Sequence, residues 1–180
     1  KFFTWGVDAA AWQNRGMMAA DALSLALDKA KWGLQTLVEA GYSLDEAASK
    51  CSIRVGITTD IISSAAMVRG LRVAWANLID ELGGDGSELP LRIEAKTASV
   101  LYVSENQNDN ILRNSIMGYA AVISGADSIE ILRHDFRNHE DSARALRLAR
   151  NITQILREEA MLGRTNDPMG GSKHLDIATR

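Results

Sequence analysis

Three side chains near position 135 could bind a metal ion or transfer protons. His134, Asp135 and His139 bring two imidazoles and a carboxylate together directly after an apolar segment. In barrels of parallel strands, catalytic groups usually stand where a strand ends in this way. Neither a cysteine nor a second carboxylate supports the group at ligand spacing, so we interpret it as the polar end of a strand and predict no metal site.

Two further candidates for chemistry have simpler structural explanations. Glu158 and Glu159 are paired carboxylates, but adjacent residues of a helix point about 100° apart and cannot share one substrate. We therefore expect a solvated or salt-bridged helix end. Cys51 opens an apolar segment with Lys50 as its only cationic neighbour, and we expect a structural thiol rather than a nucleophile.

A row of positive charge is the remaining candidate for binding. Arg144, Arg147 and Arg150 recur at intervals of three, which keeps them along one side of a helix. The row could be a solvated face that pairs with Glu140 or Asp141, or it could be part of a subunit interface. The sequence leaves both interpretations open.

Composition narrows the class of protein. The 180 residues are 46% hydrophobic and 24% charged, which suits one globular domain over residues 1–180. A net charge of −3 gives no footprint for nucleic acid, no apolar run reaches the roughly 18 residues that cross a bilayer, and one cysteine suits a reducing compartment. We expect a cytoplasmic protein that binds neither nucleic acid nor membrane. Because the sequence starts without Met and stops after a loop-like segment, we also expect a longer chain.

Strand-like and helical segments alternate along the chain. Short apolar runs predict strands over residues 2–7, 51–57, 91–95 and 128–132. Apolar residues at helical spacing predict the long helices 19–40, 60–82, 110–124 and 142–162. Ser43 and Glu46 stand at capping-box spacing and announce a short helix. Gly41 and Gly125 stand where left-handed C-caps belong.

This alternation predicts an α/β fold with a parallel sheet, because helical crossovers return the chain in the same direction. Four (β/α) units form either a small open sheet or half of an eight-unit barrel, and periodicity does not choose between them. The Gly-rich residues 83–90 follow a helix and precede a strand. That order is the reverse of a phosphate-binding loop, so we interpret the segment as a connection.

Three segments carry a family resemblance. They are "NQNDNILRNSIMGYAAVISGADSI" (106–129), "SARALRLARNITQILREEAMLGRTNDPMGGS" (142–172) and "MVRGLRVAWANLI" (67–79). The most specific signal is "ARN-x-x-x-I-L-x-E-E" at 149–159, followed by "DP-x-GGS". Together they resemble the second half of the substrate-binding barrel of the methylmalonyl-CoA mutase family, which implies half of a (β/α)8 barrel.

The resemblance implies a particular chemistry for the whole assembly. Members of the family use adenosylcobalamin to interconvert methylmalonyl-CoA and succinyl-CoA, with the acyl-CoA enclosed by the barrel. A separate domain with an Asp-x-His-x-x-Gly motif supplies the histidine that binds cobalt. That motif is absent from these 180 residues. We therefore expect no cobalamin-binding domain within them, no cofactor bound by this chain itself, and adenosylcobalamin elsewhere in the complex.

The family's substrate-binding positions are only weakly kept. Catalytic members place a histidine near the end of the first strand, where this chain has Ala11 or Gln13, depending on a one-residue shift in alignment. An Arg and a Ser that touch CoA in the family correspond to Lys50 and Ser52. These two residues are the only predicted substrate-binding residues.

The family's cofactor-facing positions are replaced as well. Glu94 and Lys96 take the places of a His and a Gln in the segment that lines the cofactor. Leu132 and Phe136 stand where catalytic members have an Asn and a Glu beside the corrin. We accordingly predict no catalytic and no cofactor-binding residue in this chain.

The four tryptophans divide into two pairs. Trp32 and Trp75 stand at helical positions, where burial against the sheet is the simpler interpretation. Trp5 and Trp12 flank the end of the first strand, where the family's pocket would be, and we expect their indoles to fill that pocket.

A retained scaffold with a lost site is typical of the small, non-catalytic subunit of heterodimeric mutases. We expect this chain to belong to such a subunit and to support a large catalytic subunit. The alternative is an acyl-CoA-binding isomerase barrel that uses Lys50, Ser52, Glu94 and Lys96 in altered roles. A half-barrel would leave sheet edges and an apolar inner face uncovered. We therefore expect it to associate with the large subunit, with its missing N-terminal half or with a second copy.

Overall fold

The computed structural model describes residues 5–138 and 143–179. The strands are β1 (Trp5–Asp8), β2 (Cys51–Ile57), β3 (Arg92–Thr97) and β4 (Ser128–Glu130). The helices are α1 (Ala9–Gln13), α2 (Ala19–Glu39), α3 (Leu44–Ala48), α4 (Ile61–Glu81), α5 (Asp109–Ile123), α6 (Ala143–Gln154) and α7 (Lys173–Thr179). The strands are all parallel in the order β1-β2-β3-β4. This confirms the predicted α/β fold of four units, in the order expected of half a (β/α)8 barrel.

The strand register aligns one apolar face across the whole sheet. Val7 pairs with Ile53, and Ile53 pairs with Ile93. These side chains and their neighbours two residues along pack against the helices, where they form the core of the domain. Because side chains alternate between faces, the intervening residues lie on the other face. That face is polar and charged, so the expectation of an apolar inner face was wrong.

Helix α2 approaches the sheet through a stripe of small residues. Ala22, Ala26 and Ala30 recur at intervals of four and are fully buried. Gly33 extends the same side, and the indole of Trp5 lies against it. Trp5 Nε1 donates a hydrogen bond to the carbonyl of Ala47 (3.2 Å). Trp5 therefore packs on the helix side of β1.

The tryptophans correct two predictions and confirm a third. Trp12 packs against the same helix-side core as Trp5, so neither indole fills a pocket on the inner face. Trp75 is 1% exposed and donates to the carbonyl of Leu89 (2.8 Å). Trp32 is 70% exposed, which contradicts the prediction that it lies in the core. Its position is rotated by well over a quarter turn from the buried alanine stripe of α2.

Several predicted boundaries are confirmed by the local chemistry that sets them. Ser43 and Glu46 form the expected capping box at the start of α3. Asp60 caps α4 by accepting a hydrogen bond from the amide of Ser63 (3.0 Å). Gly41 and Gly125 have φ of +95° and +78°, the left-handed conformation that ends helices.

The structure also departs from the predicted elements. Helices α1 and α7 are too short to show periodicity and were missed. The predicted last helix ends sooner, because a single π-helical turn (Ile155–Glu159) follows α6. Strand β4 ends at Glu130 rather than at residue 132, and residues 2–4 of the predicted first strand lie outside the described residues.

The "DP-x-GGS" segment ties the C-terminal residues to the outside of α4. Asp167 forms an ion pair with Arg69 (2.9 Å). Ser172 Oγ accepts a hydrogen bond from the amide of Leu175 (3.3 Å) at the start of α7. The fully buried Leu175 packs on Ala65 and Ala66 of α4. This segment therefore stabilises the packing of the C-terminal residues against α4.

Two helical glycines test the packing of Trp5 against α2. A Cβ on Gly33 would lie 2.6 Å from the Trp5 ring, whereas a Cβ on Gly70 of α4 would meet its nearest atom at 3.6 Å. Both Gly→Ala changes gain helix propensity, but only Gly33→Ala must displace an indole, at a cost of about 1–3 kcal/mol. Urea unfolding should therefore show that the Gly33→Ala variant has a free energy of unfolding about 1–3 kcal/mol lower than that of the Gly70→Ala variant. Equal stabilities would contradict the described contact.

Candidate functional site

The inner face is the surface of the sheet opposite the helices. It carries small residues near the start of the strands and charged residues further along. The small residues are Gly6 of β1, Ser52 of β2 and Ser128 of β4. The register then places Asp8 beside Arg54 and Arg54 beside Glu94, and it pairs Lys96 with Glu130. Charges of opposite sign thus stand next to one another on neighbouring strands.

These side chains form a connected set of ion pairs, which we call the ion lattice. Its members are Asp8, Arg54, Arg92, Glu94, Lys96 and Glu130. The two short contacts are Arg54 to Glu94 (3.0 Å) and Lys96 to Glu130 (2.9 Å). Arg54 also lies 3.8 Å from Asp8 and 4.0 Å from Glu130, and Arg92 lies 3.9 Å from Glu94. Three cations and three anions make the lattice neutral as a whole.

Arg54 lies at the centre of the lattice. Partial burial acts to lower the pKa of its guanidinium, but the hydrogen bond and charge of Glu94, together with Glu130 and Asp8, outweigh it. The net result is a raised pKa, so Arg54 stays a cation under all ordinary conditions. A permanent positive charge here holds three carboxylates in place around it.

A small cleft lies on the inner face at β1 and β2. Its volume is about 190 Å³, and Gly6, Ser52 and Arg54 are among the residues that line it. Small-molecule sites usually offer roughly 300 Å³ or more. This cleft by itself is smaller than such a site and can hold several water molecules.

The two predicted substrate-binding residues lie at the beginning of β2. Lys50 is exposed in the turn that precedes the strand, and Ser52 is its second residue. The register places Ser52 beside Gly6, next to the small cleft. Both residues are therefore at the N-terminal end of the sheet, away from the strand ends where barrel enzymes usually act. Their role in binding a substrate stays a prediction.

At the end of β1, neither candidate for the family's histidine position is placed for catalysis. Ala11 is exposed on α1. Gln13 Oε1 accepts a hydrogen bond from the amide of Gly56 (2.7 Å), and its Nε2 lies 3.2 Å from the sulfur of Met67. Because β1 ends at Asp8, the amide of Gly56 extends beyond the paired part of the strand, and Gln13 satisfies it.

A buried polar network closes the ends of β3 and β4. Tyr102 donates a short hydrogen bond to Asn114, and its hydroxyl lies 3.0 Å from that of Thr97. Asn114 Nδ2 donates to the carbonyl of Leu132 (2.9 Å), and the amide of Leu132 donates to Thr97 Oγ1 (3.0 Å). Both backbone groups of Leu132 are therefore engaged within the protein.

Asn110 extends this network along α5. Its Nδ2 donates to the carbonyls of His134 and Val103, and its Oδ1 accepts from the amide of Val103. Asn110 and Asn114 are one helical turn apart and both fully buried. This role was not predicted from the sequence, although two asparagines at that spacing on a buried helix side indicate backbone contacts.

The structure describes two members of the cluster near position 135, His134 and Asp135. Asp135 is buried and lies 3.3 Å from Arg133 Nε, and His139 lies outside the described residues. No group of three or more possible metal-binding side chains occurs in the part of the chain that the structure describes. Phe136 is largely exposed and lies edge-on to Tyr102, with ring centroids 6.4 Å apart.

Short segments bridge the C-terminal ends of the strands. The amide of Val100 donates to Asn14 Oδ1 (3.2 Å). Arg137 donates to the carbonyls of Ser99 (3.1 Å) and Val100 (3.3 Å). The segments after β1, β3 and β4 are thus linked to one another at the end of the sheet where barrel active sites lie.

The other sequence candidates have structural roles or lie in solvent. Cys51 is buried, and burial raises the pKa of its thiol to about 12, so the thiolate is scarce near neutral pH. Glu158 and Glu159 are exposed, and Glu158 lies 3.2 Å from Arg157. Within residues 5–138 and 143–179, no helix is both long and apolar enough to span a membrane.

Comparison with known protein families and sequences gives a consistent result. The family model described as methylmalonyl-CoA mutase matches residues 1–180. The chain is 35% identical over 176 residues to the methylmalonyl-CoA mutase small subunit of Propionibacterium freudenreichii subsp. shermanii, covering 97% of this chain and 27% of that protein. It is 31% identical over 173 residues to the small subunit of Streptomyces virginiae, covering 96% and 28% of the two chains.

A mutase that is not named as a small subunit is also similar. The chain is 29% identical over 147 residues to the methylmalonyl-CoA mutase of Escherichia coli strain K12, covering 81% of this chain and 21% of that protein. The chain thus spans between about a fifth and just over a quarter of the length of these relatives.

The buried hydroxyl of Tyr102 gives the fold a measurable dependence on pH. Burial raises the pKa of Tyr102 to about 12, whereas an unfolded chain releases this proton near pH 10. The unfolded state loses its proton first, so this contribution is complete below about pH 10 and is lost as the pH rises toward about 12. Tyr102→Phe should make the decline in the free energy of unfolding above about pH 10 less steep, with Tyr42→Phe as the exposed control. Parallel declines for wild type and Tyr102→Phe would refute this assignment.

Proposed function

Because the chain belongs to the methylmalonyl-CoA mutase family, we propose that it is part of an adenosylcobalamin-dependent mutase that interconverts methylmalonyl-CoA and succinyl-CoA. In this proposal residues 1–180 are one domain, half of the barrel of the structural small subunit. The large subunit carries out the reaction. Two relatives named as small subunits support this assignment. A cytoplasmic location agrees with the free thiol of Cys51.

The observation that carries the proposal is the ion lattice on the inner face. A barrel that encloses a ligand must keep its interior side chains small, since side chains otherwise fill an eight-stranded barrel. Here Arg54, Glu94, Lys96 and Glu130 occupy the middle of the inner face and hold one another in place. Inserting an acyl chain would separate these pairs and leave partly buried charges without partners, which is costly.

The strand ends also fit cobalamin poorly. Leu132 is buried, and its backbone groups are bound to Thr97 and Asn114. Lys96 is paired with Glu130 and Glu94 with Arg54, so neither is available to contact a corrin. We therefore propose that adenosylcobalamin is bound elsewhere in the complex and that this chain contributes no group to the radical chemistry.

One observation favours the alternative, an acyl-CoA-binding barrel with an altered site. Lys50 is exposed, and Ser52 lies beside the small cleft at the start of the strands. A cation and a hydroxyl at that position could contact the polar end of a CoA ester. In that case Glu94 and Lys96 would act on the substrate instead of pairing with Arg54 and Glu130.

Substitution of Lys96 in the assembled enzyme separates the two functions. The full-length protein containing this chain is co-expressed with the large subunit, and Lys96→Met is compared with wild type and with Lys96→Arg. The small-subunit proposal predicts a stable complex with kcat/KM for methylmalonyl-CoA within about twofold of wild type, because Lys96 serves there as the ion-pair partner of Glu130. A catalytic charge would instead cost about a hundredfold or more. Such a loss in a folded complex would favour the altered enzyme.

A further inference from the structure

Helix α5 exposes an apolar stripe on the side that faces away from the sheet. Leu112, Ile116 and Tyr119 are 67%, 43% and 39% exposed. Their spacing of four and then three residues places them along one side of the helix. The opposite side carries buried residues such as Asn114 and Met117, which pack toward the sheet. An outward helix side is normally polar, so this stripe calls for a partner.

Completion of the barrel cannot cover this stripe. Helix α5 packs against α4 on one side and against α6 on the other, so both lateral neighbours that a barrel provides are already present. Trp32 is different, because it projects from α2, the first long helix of the chain. The long helix that packs against α2 is α4. Additional barrel units could cover Trp32, but only a surface approaching from outside the barrel can cover Leu112 and Ile116.

Positive charge is exposed on the helix that packs beside α5. Arg144, Arg147 and Arg150 are exposed on α6, which packs beside α5. Among the described residues, none of the three forms an ion pair, and Glu140 and Asp141, the carboxylates considered from the sequence, lie outside the described residues. The whole chain carries a net charge of −3, so this local excess of arginine runs against its overall balance.

We propose that Leu112, Ile116, Tyr119, Arg144, Arg147 and Arg150, which we call the α5–α6 surface, form the docking site for the large mutase subunit. An apolar centre bordered by arginine is typical of stable protein interfaces. The partner surface is therefore apolar opposite α5 and acidic opposite α6. This inference rests on the proposed function, because it assigns that function's partner to one face.

Charge favours the large subunit over a second copy of this chain. In a two-fold contact the same surface meets itself. All three charged residues of the α5–α6 surface are arginines, so two copies would bring these like charges together. A different chain can supply the acidic groups.

Two double variants and one control test the surface in the full-length protein. Leu112→Glu with Ile116→Glu disrupts the apolar centre, and Arg144→Glu with Arg147→Glu reverses the charge. Val38→Glu on α2 is the matched control, since Val38 is 45% exposed and lies on a helix that does not adjoin α5. Circular dichroism and thermal unfolding verify that each variant is folded, and titration with purified large subunit gives Kd.

Both double variants should raise Kd for the large subunit by about thirtyfold or more. The effect of the charge reversal should shrink in about 1 M salt, which screens exposed charges. Val38→Glu should bind as wild type does. If both folded double variants bind with wild-type Kd, the docking site is refuted while the proposed function stands. If wild type does not bind the large subunit at all, both are refuted. If the variants abolish only self-association, the surface belongs to a second copy and the inference is wrong.

Discussion

The ion pair between Arg54 and Glu94 is the constraint on which the inner face depends. The parallel register places these residues beside each other on the two central strands, and Asp8, Lys96 and Glu130 extend the pairing to the outer strands. The charges cancel within one face, so the sheet can be enclosed without a net buried charge. In the proposed small subunit, the same arrangement would occupy the space that a bound acyl chain needs. The ion pairs that hold the strands together would then also exclude a substrate.

The ends of β3 and β4 are held by a buried hydrogen-bond network. Asn110 and Asn114 belong to one of the three segments that carry the family resemblance. Asn110 binds the backbone of Val103 and His134, and Asn114 donates to the carbonyl of Leu132. Tyr102 and Thr97 complete this network from the neighbouring strand end. The network fixes where the chain leaves the sheet. The groups that form the network face the protein interior. The network would therefore still stabilise these strand ends if residues that face a cofactor were replaced.

Local signals in the sequence were enough to predict most of the fold. Capping residues such as Ser43 and Asp60 and the alanine stripe of α2 act within one or two helical turns, so they can be recognised without knowing the tertiary structure. Whether each tryptophan is buried or exposed could not be predicted in the same way. Trp32 and Trp75 both stand on long helices, and their opposite burial depends on which side of each helix meets the sheet.

Only part of the charged inner face could be predicted from the sequence. The alternation of Arg92, Glu94 and Lys96 indicates a strand with one polar side, but the partners Arg54 and Glu130 lie about 40 residues away in either direction. Only the strand register brings them together. We propose that this inner face holds no acyl-CoA, and the stoichiometry of binding tests this proposal. Calorimetric titration of the purified complex with succinyl-CoA should give one site for each pair of small and large subunits. Two sites for each pair would show that the inner face of the small subunit binds acyl-CoA as well.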